Sequence, residues 1–483
     1  MTAPPQPHFD VLITGARIID GSGADAYAGN LGISGDRVQS IGHLPGATAE
    51  LCIDASGKVL APGFIDAHTH DDRAVLSGPL MVNKVSQGVT SVVAGNCGVS
   101  LAPLKDTDPP PPMNLLGDRE WYRFERVAAY LDAVKQSRPA LNIALLCGHS
   151  TLRAGSMDRL DRPARDAELA AMGERLDQAL EDGCIGLSTG LAYPPAIHAP
   201  TTEVISLARR AAAHGGIYAT HMRNEGTRVL ESVDETLRIG REAAIPVVIS
   251  HHKCSGRESW GLTRESLKRI ARARSTQSVN LDVYPYVASS TVLMADWAPG
   301  AEKVLVTWSV PHPDQAGRDL ADIMAEWQVD LATAVERLSP AGAIYFSMHE
   351  DDLQRVLGFN DTMIGSDGLP HDAQPHPRLW GTFPRVLGHY SRDLGLFSLE
   401  QAVHRMTAIP ARVFGFRDRG RIRVGGYADL VIFDRATVID QATFASPKQI
   451  AAGIEQVFVN GCRVWTQGQS SGDRPGRILR RDA

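Results

Sequence analysis

Through the middle of the chain, short apolar runs alternate with stretches whose apolar positions recur at helical spacing. The apolar runs predict strands near Phe64–His70, Val89–Gly95, Asn142–Gly148, Cys184–Ser188, Ile217–His221, Pro246–His251, Val279–Tyr284 and Met363–Asp367. Asp166–Glu181, Thr202–His214 and Arg228–Ala243 read as helices between them. Eight strand–helix units predict an α/β fold, a (β/α)8 TIM-like barrel with its chemistry at the C-terminal ends of the strands. The link from Tyr286 to Met363 is far longer than a crossover needs. It predicts an inserted subdomain, about 287–349, between strands seven and eight, where a lid would sit.

The chain ends have a different rhythm. Val11-Leu12-Ile13 and Ile18-Ile19 flank Thr14-Gly15-Ala16-Arg17, and Leu31-Gly32-Ile33 and Val38–Ile41 flank Ser34-Gly35-Asp36-Arg37. Val457-Phe458-Val459 and Arg463-Val464-Trp465 flank Asn460-Gly461, a strong tight-turn pair. All three read as hairpins. Residues 1–61 and 415–483 are therefore expected to build one small β-domain beside a catalytic barrel spanning 62–414.

Composition narrows the class without naming it. The 483 residues exceed one small core, and the 43% hydrophobic and 22% charged fractions are those of an ordinary globular protein. A net charge of −6 argues against nucleic acid or an anionic membrane as the main partner. Met1 to His8 shows no basic region leading into an apolar run, and no stretch is long enough to span a bilayer. The six cysteines lack framework spacing, so reduced thiols and a cytoplasmic location are expected.

The strand ends carry the chemistry. The apolar run Val59 to Ile65 reads as a buried strand leading into His68-Thr69-His70, whose imidazoles would share one face. The second strand delivers Cys97, the fifth His221, the sixth His251 or His252, and the last Asp367. Taken singly, each has a bland reading: a small buried hydrophobe for Cys97, as for Cys254, a hydrogen-bonded imidazole, or a turn aspartate before Gly368. Their joint occurrence at successive strand ends points to a metal. Thiolate and imidazole suit zinc and do not suit magnesium or calcium. Zinc with an open position lowers the pKa of a bound water to about 7, and Asp367 is placed to act as general base. The implied reaction is metal-assisted hydrolysis, most naturally of an amide. Lys253 and Arg223 each follow a candidate ligand by two residues, and Arg378 lies on the loop after the eighth strand, so all three are candidate carboxylate binders. Tyr345 and Met348, returning from the insertion, either line an apolar pocket or pack the insertion's own core.

The chain resembles the amidohydrolase superfamily almost end to end, on Pro62–His70, Met406–Ala411, Gly420-Arg421-Ile422 and Gly426–Asp434. Within it the chain is similar to the N-acyl-D-amino-acid deacylases. That likeness rests on Gly95-Asn96-Cys97-Gly98, Thr220–Arg223, Ser250–Lys253, Tyr284-Pro285-Tyr286 and Gly365–Gly368. Many superfamily members bridge two metals with a carboxylated lysine near the fourth strand, whereas Cys184–Gly190 has no lysine. The resemblance implies that Cys97 takes over the bridge. It implies a tight zinc on Cys97, His221 and His251, and a weaker second position on His68 and His70 with Cys97 shared. It favours His251 over His252, and assigns the substrate α-carboxylate to Lys253, Tyr284 and Ser290, with Arg223 and Arg378 ranked behind. If Tyr345 and Met348 line the pocket, hydrophobic D-residues are preferred over D-aspartate or D-glutamate. The alternatives are an acidic N-acyl-D-amino-acid deacylase, a cyclic-amide hydrolase of the dihydropyrimidinase or dihydroorotase kind, and a non-catalytic binding protein on the same scaffold.

Overall fold

The computed structural model describes residues 7–482. Parallel strands follow one another in chain order: Phe64–Asp66, Val89–Ala94, Asn142–Leu145 continued by Cys147–Gly148, Gly186–Gly190, Ile217–His221, Val247–Ile249, Val279–Val283 and Thr362–Ile364. The last strand meets the first: the Ala67 amide donates to the Ile364 carbonyl at 3.2 Å, and the Asp367 amide to the His68 carbonyl at 2.8 Å. Gly365 permits this contact, because a Cβ there would lie 2.5 Å from the His68 Cβ.

Helices cover the outer face, so these strands are buried on both sides and read as nearly unbroken apolar runs. The helix Asp166–Asp182 turns Met172, Leu176 and Leu180 inward, a four-residue spacing that keeps them on one face. Inside, Ile65, Val93, Leu146, Ile185, Ala219, Val248 and Met363 form one cluster with Phe414, Phe416 and Leu479. The Leu479 amide bonds the Ile143 carbonyl at the start of the third strand, so this apolar plug fills the N-terminal ends of the strands. The opposite ends are left for polar residues.

A separate sheet joins the two chain ends. Gln469–Ser470, Cys462–Thr466, Ile454–Val459, Leu430–Phe433, Val59–Pro62, His8–Ile18, Tyr27–Ser34 and Arg37–Gly42 lie in that order, with Thr48–Asp54 alongside His8–Ile18. N- and C-terminal parts meet where Val59–Pro62 pairs antiparallel with Leu430–Phe433. Between Ala288 and Phe346 a third unit holds an antiparallel sheet of Ala288–Val292, Ala341–Phe346 and Val304–Ser309, with the helices Leu320–Trp327 and Leu331–Leu338 over its own apolar cluster.

Two sequence expectations need correction here. The run Val59–Ile65 is two strands in two sheets, divided at Gly63. The chain crosses between them with no room for a side chain: a Cβ at Gly63 would lie 2.2 Å from Thr90 Cγ2. Thr14–Arg17 is likewise no turn. His8–Ile18 runs straight through it, and the glycine is absorbed as a bulge between Ile13 and Ala16, with Gly15 at φ +70° and its amide bonded to the Asn30 side chain.

Candidate metal centre

At the C-terminal ends of the parallel strands, Cys97 is the hub. Its Sγ lies 3.3 Å from His68 Nε2 and 3.3 Å from His251 Nε2. Two overlapping donor sets form around it: His68, His70, Cys97 and Asp367, and Cys97, His221 and His251, the ligand atoms within each set lying within 4.8 Å of one another. Tetrahedral zinc with ordinary Zn–S and Zn–N bonds requires sulfur–nitrogen separations of about 3.5 Å. The observed spacing and the soft thiolate–imidazole chemistry both fit that ion.

The backbone is bent to produce this convergence. Cys97, His251 and Asp367 have φ of 52°, 37° and 49°, in the left-handed region that costs a non-glycine residue energy. Strain at three strand ends aims three functional side chains at one point. Gly95 and Gly98 flank Cys97 because a Cβ at either would strike backbone, at 2.0 Å from the Leu146 carbonyl oxygen and 2.7 Å from the Gly190 nitrogen.

Carboxylates behind the imidazoles fix which nitrogen faces inward. Glu225 Oε1 is 3.0 Å from His251 Nδ1, so that ring presents Nε2 to Cys97. Asp282 Oδ1 accepts from the His251 amide at 2.8 Å and lies 3.5 Å from His68 Nδ1. His252 turns away, its Nε2 against Ser266 Oγ at 2.8 Å, and burial pushes its pKa down to about 4. The geometry thus separates the adjacent pair: His251 faces the cluster and His252 does not.

Asp367 sits between the donor set and a buried cation. Its Oδ1 is 3.2 Å from His70 Nε2 and 3.5 Å from His68 Nε2, and its Oδ2 is 2.9 Å from Arg378 Nη1. Burial alone would raise its pKa, but Arg378 and the imidazoles outweigh that and hold it well below the usual carboxylate range. Burial disfavours the Cys97 thiolate in the same way, yet His68 and His251 bring its pKa well below the usual thiol value. For His70 burial lowers the pKa, but the bond to Asp367 and the Cys97 thiolate raise it to about 9. A metal must displace such protons when it binds.

Beside the cluster opens a cavity of about 810 Å³. Lys253, Tyr284 and Ser290 line it, and the Ser290 hydroxyl is buried without a partner. Lys253 Nζ is 2.7 Å from Glu225 Oε2 and 5.8 Å from the centre of the Tyr284 ring. Arg378 is fully buried, stacked 4.4 Å over Tyr284, and donates to the Ser290 carbonyl at 2.9 Å. Arg223 borders the cavity, but its guanidinium is held by Glu235 at 2.8 Å and by the carbonyls of Ile197 and Ala199. Tyr345 also lines the cavity while packing the insertion's cluster and donating to the Val292 carbonyl, so both readings of that residue hold. Met348 is a correction. It is not among the cavity's lining residues, because it turns toward Tyr284 and Tyr286 and its Sδ accepts from the Tyr284 hydroxyl at 3.7 Å.

Glu225, Asp282 and Tyr193 escaped the sequence reading. Asp282 is a charged residue inside an otherwise apolar strand, a signal that could have marked it. Glu225 stands four residues after His221 on a loop and has no such signature. Tyr193, its ring centre 4.8 Å from that of His221 and tilted by 54°, comes from the loop after the fourth strand.

Such a donor set at the ends of parallel strands defines a metal-site protein of the α/β class. The chain belongs to the amidohydrolase family: the model of that family matches residues 52–326 and 320–465. Among curated relatives, a D-aminoacylase of Alcaligenes xylosoxydans xylosoxydans is 53% identical over 475 residues, covering 98% of each chain. An N-acyl-D-glutamate deacylase of the same organism is 48% identical, covering 99% of this chain and 98% of its own. Among solved structures, the N-acyl-D-glutamate deacylase of Bordetella bronchiseptica, complexed with zinc and a phosphonate mimic of the tetrahedral intermediate, superposes with a TM-score of 0.95. It is 47% identical, and the match covers 98% of this chain and 100% of that one.

Proposed function

We propose that this protein is a zinc hydrolase that cleaves N-acyl-D-amino acids to a carboxylate and a free D-amino acid, with apolar D-residues preferred. The observation that carries the reading is the convergence of Cys97 with His68 and His251 at 3.3 Å beside a buried, ionised Asp367. Residues 62–414 are taken as a (β/α)8 barrel that presents this site, with 287–349 as its cover and the chain-end sheet as a separate domain. The D-hand comes from the relatives, since spacing and distance carry no handedness.

Cys97, His221 and His251 would hold one zinc tightly, and His68 and His70, sharing Cys97, a second more weakly. Zinc held there supplies Lewis acidity that polarises the scissile carbonyl and acidifies water. Asp367 takes the proton from the attacking water and returns it to the leaving nitrogen. Arg378 keeps that carboxylate ionised at rest. The substrate α-carboxylate is received by Lys253, the Tyr284 hydroxyl and the unpartnered Ser290 hydroxyl, drawing Lys253 partly away from Glu225.

Side-chain preference follows from charge pairing. The cations lining the cavity, Arg223, Lys253 and Arg257, each have an acidic partner, in Glu235, Glu225 and Glu302. Among the described residues, a second substrate carboxylate would have to draw one of these cations from its partner, with Lys253 already taken by the α-carboxylate. The wall near Cys97 is instead apolar, with Leu115, Tyr193 and Leu369. A cyclic-amide specificity is disfavoured, since the fourth strand, Gly186–Gly190, offers no lysine.

Steady-state hydrolysis of acetyl-D-methionine, acetyl-D-leucine, acetyl-D-glutamate, acetyl-L-methionine and dihydrouracil, with and without a chelator, tests this. Chelator-sensitive release from the apolar D-substrates, at least ~10-fold above D-glutamate, is expected. Preference for the L-enantiomer or the cyclic amide would overturn it, and no turnover of any of them would leave a binding protein.

A further inference from the structure

Beneath the metal centre lies a lysine with no exposed surface. Lys84 belongs to the short helix Val82–Val85, and its ammonium group touches three side chains from two parts of the chain. Nζ is 2.8 Å from Asp66 Oδ2 and 3.2 Å from Asp71 Oδ2, the residues that bracket the His68–His70 segment. It is also 2.7 Å from Ser366 Oγ, next to Asp367. Asp66 completes the link: its Oδ1 accepts from the Ser366 amide at 2.7 Å and lies 3.4 Å from the His68 amide. None of these four residues lines the cavity, so none meets substrate.

A buried ammonium with two buried carboxylates is costly to assemble and leaves one net negative charge under the donor set. Packing alone would be served as well by an apolar side chain. What this arrangement adds is a fixed distance between two strand ends that are nearly 300 residues apart in sequence, as the Asp66–Ser366 bond shows with its separation of 300. We infer that Lys84 is a positioning residue: it ties the His68–His70 segment to the Ser366–Asp367 segment, and so sets the second-metal position and the aim of the base. The inference rests on the reading of Asp367 as base, but its metal arm does not.

Lys84→Met, Lys84→Arg and Ser366→Ala, prepared as full chains, test it. Each is titrated with cobalt(II) by its absorption spectrum and assayed on acetyl-D-methionine per mole of bound tight metal. For Lys84→Met the second cobalt is expected to bind about 10–100-fold more weakly while the first is retained, and kcat to fall by a similar factor with KM changed less than ~3-fold. Lys84→Arg should recover part of both losses. Ser366→Ala, which removes the hydroxyl that accepts from Lys84 and from the Gly368 amide, should show the same pattern more weakly, by about 3- to 10-fold, and stands in if Lys84→Met does not fold. Unchanged second-cobalt affinity in the folded variants would overturn the inference, as would losses confined to thermal stability. Should the wild type itself fail to hydrolyse the substrate, the function fails, and the cobalt titration still judges Lys84.

Discussion

The two sides of Cys97 are built differently. On one side His221 and His251 complete a sulfur–nitrogen–nitrogen set, with Glu225 3.0 Å from His251 Nδ1. On the other side His68 and His70 share their place with Asp367, which lies within 3.5 Å of both. A carboxylate that must accept a proton cannot also be a committed ligand, so this side should hold an ion less firmly. On the proposed reading one cluster of donors divides its labour: a closed half would retain a metal, and an open half would keep its base available. A carboxylate backs a ring on each side, Glu225 behind His251 and Asp282 behind His68, and on the proposed reading Arg378 and Lys84 restrain the base and its neighbours.

The comparison breaks most visibly at its hub. Cys97→Ala removes the ligand common to both halves. Metal content should fall to background and kcat by ~1,000-fold or more, because Lewis acidity is worth several kcal/mol. Metal analysis beside steady-state assay checks it. Asp367→Asn separates the halves: the tight zinc should stay while kcat falls about 100- to 10,000-fold, the range of general acid–base catalysis. Of the two halves Glu225→Gln acts on the closed one, while also removing the partner of Lys253, and competition with a chromophoric chelator should show tight-site affinity weakened by about 10–100-fold. The smallest effect concerns pH. His70 is protonated below about pH 9 before metal arrives, because Asp367 and the Cys97 thiolate outweigh burial. The second ion must expel that proton, so its apparent affinity should rise as pH increases toward 9 and level off above, by calorimetric titration. A flat or falling profile would argue against His70 as a ligand.

How much of this was legible in the sequence depends on range. His68, Cys97, His221, His251 and Asp367 stand out because strand ends can be read from local apolar runs, and all of them fall in the cluster. Tyr284 and Ser290, which the resemblance assigns to the substrate α-carboxylate, lie on the cavity wall. What the sequence withholds is pairing across the fold. Arg223 reads as a candidate carboxylate binder until Glu235 is seen beside it, and Met348, open in sequence between pocket and core, is found with its sulfur accepting from the Tyr284 hydroxyl. Lys84 sits in a four-residue helix whose local pattern says surface, yet it is fully buried because Asp66 and Asp71 neutralise it. The need for glycine at the Gly63 crossing is hidden for the same reason: the Thr90 side chain that leaves no room for a Cβ there comes from a neighbouring element.

X-ray absorption at the zinc K edge, on protein carrying one equivalent of zinc, addresses the thiolate–imidazole centre most directly. One sulfur at about 2.3 Å with two imidazole nitrogens at about 2.0 Å, the sulfur lost in Cys97→Ala, is the expected spectrum. A shell of nitrogen and oxygen alone, the same in both proteins, would contradict the assignment of Cys97 as the hub.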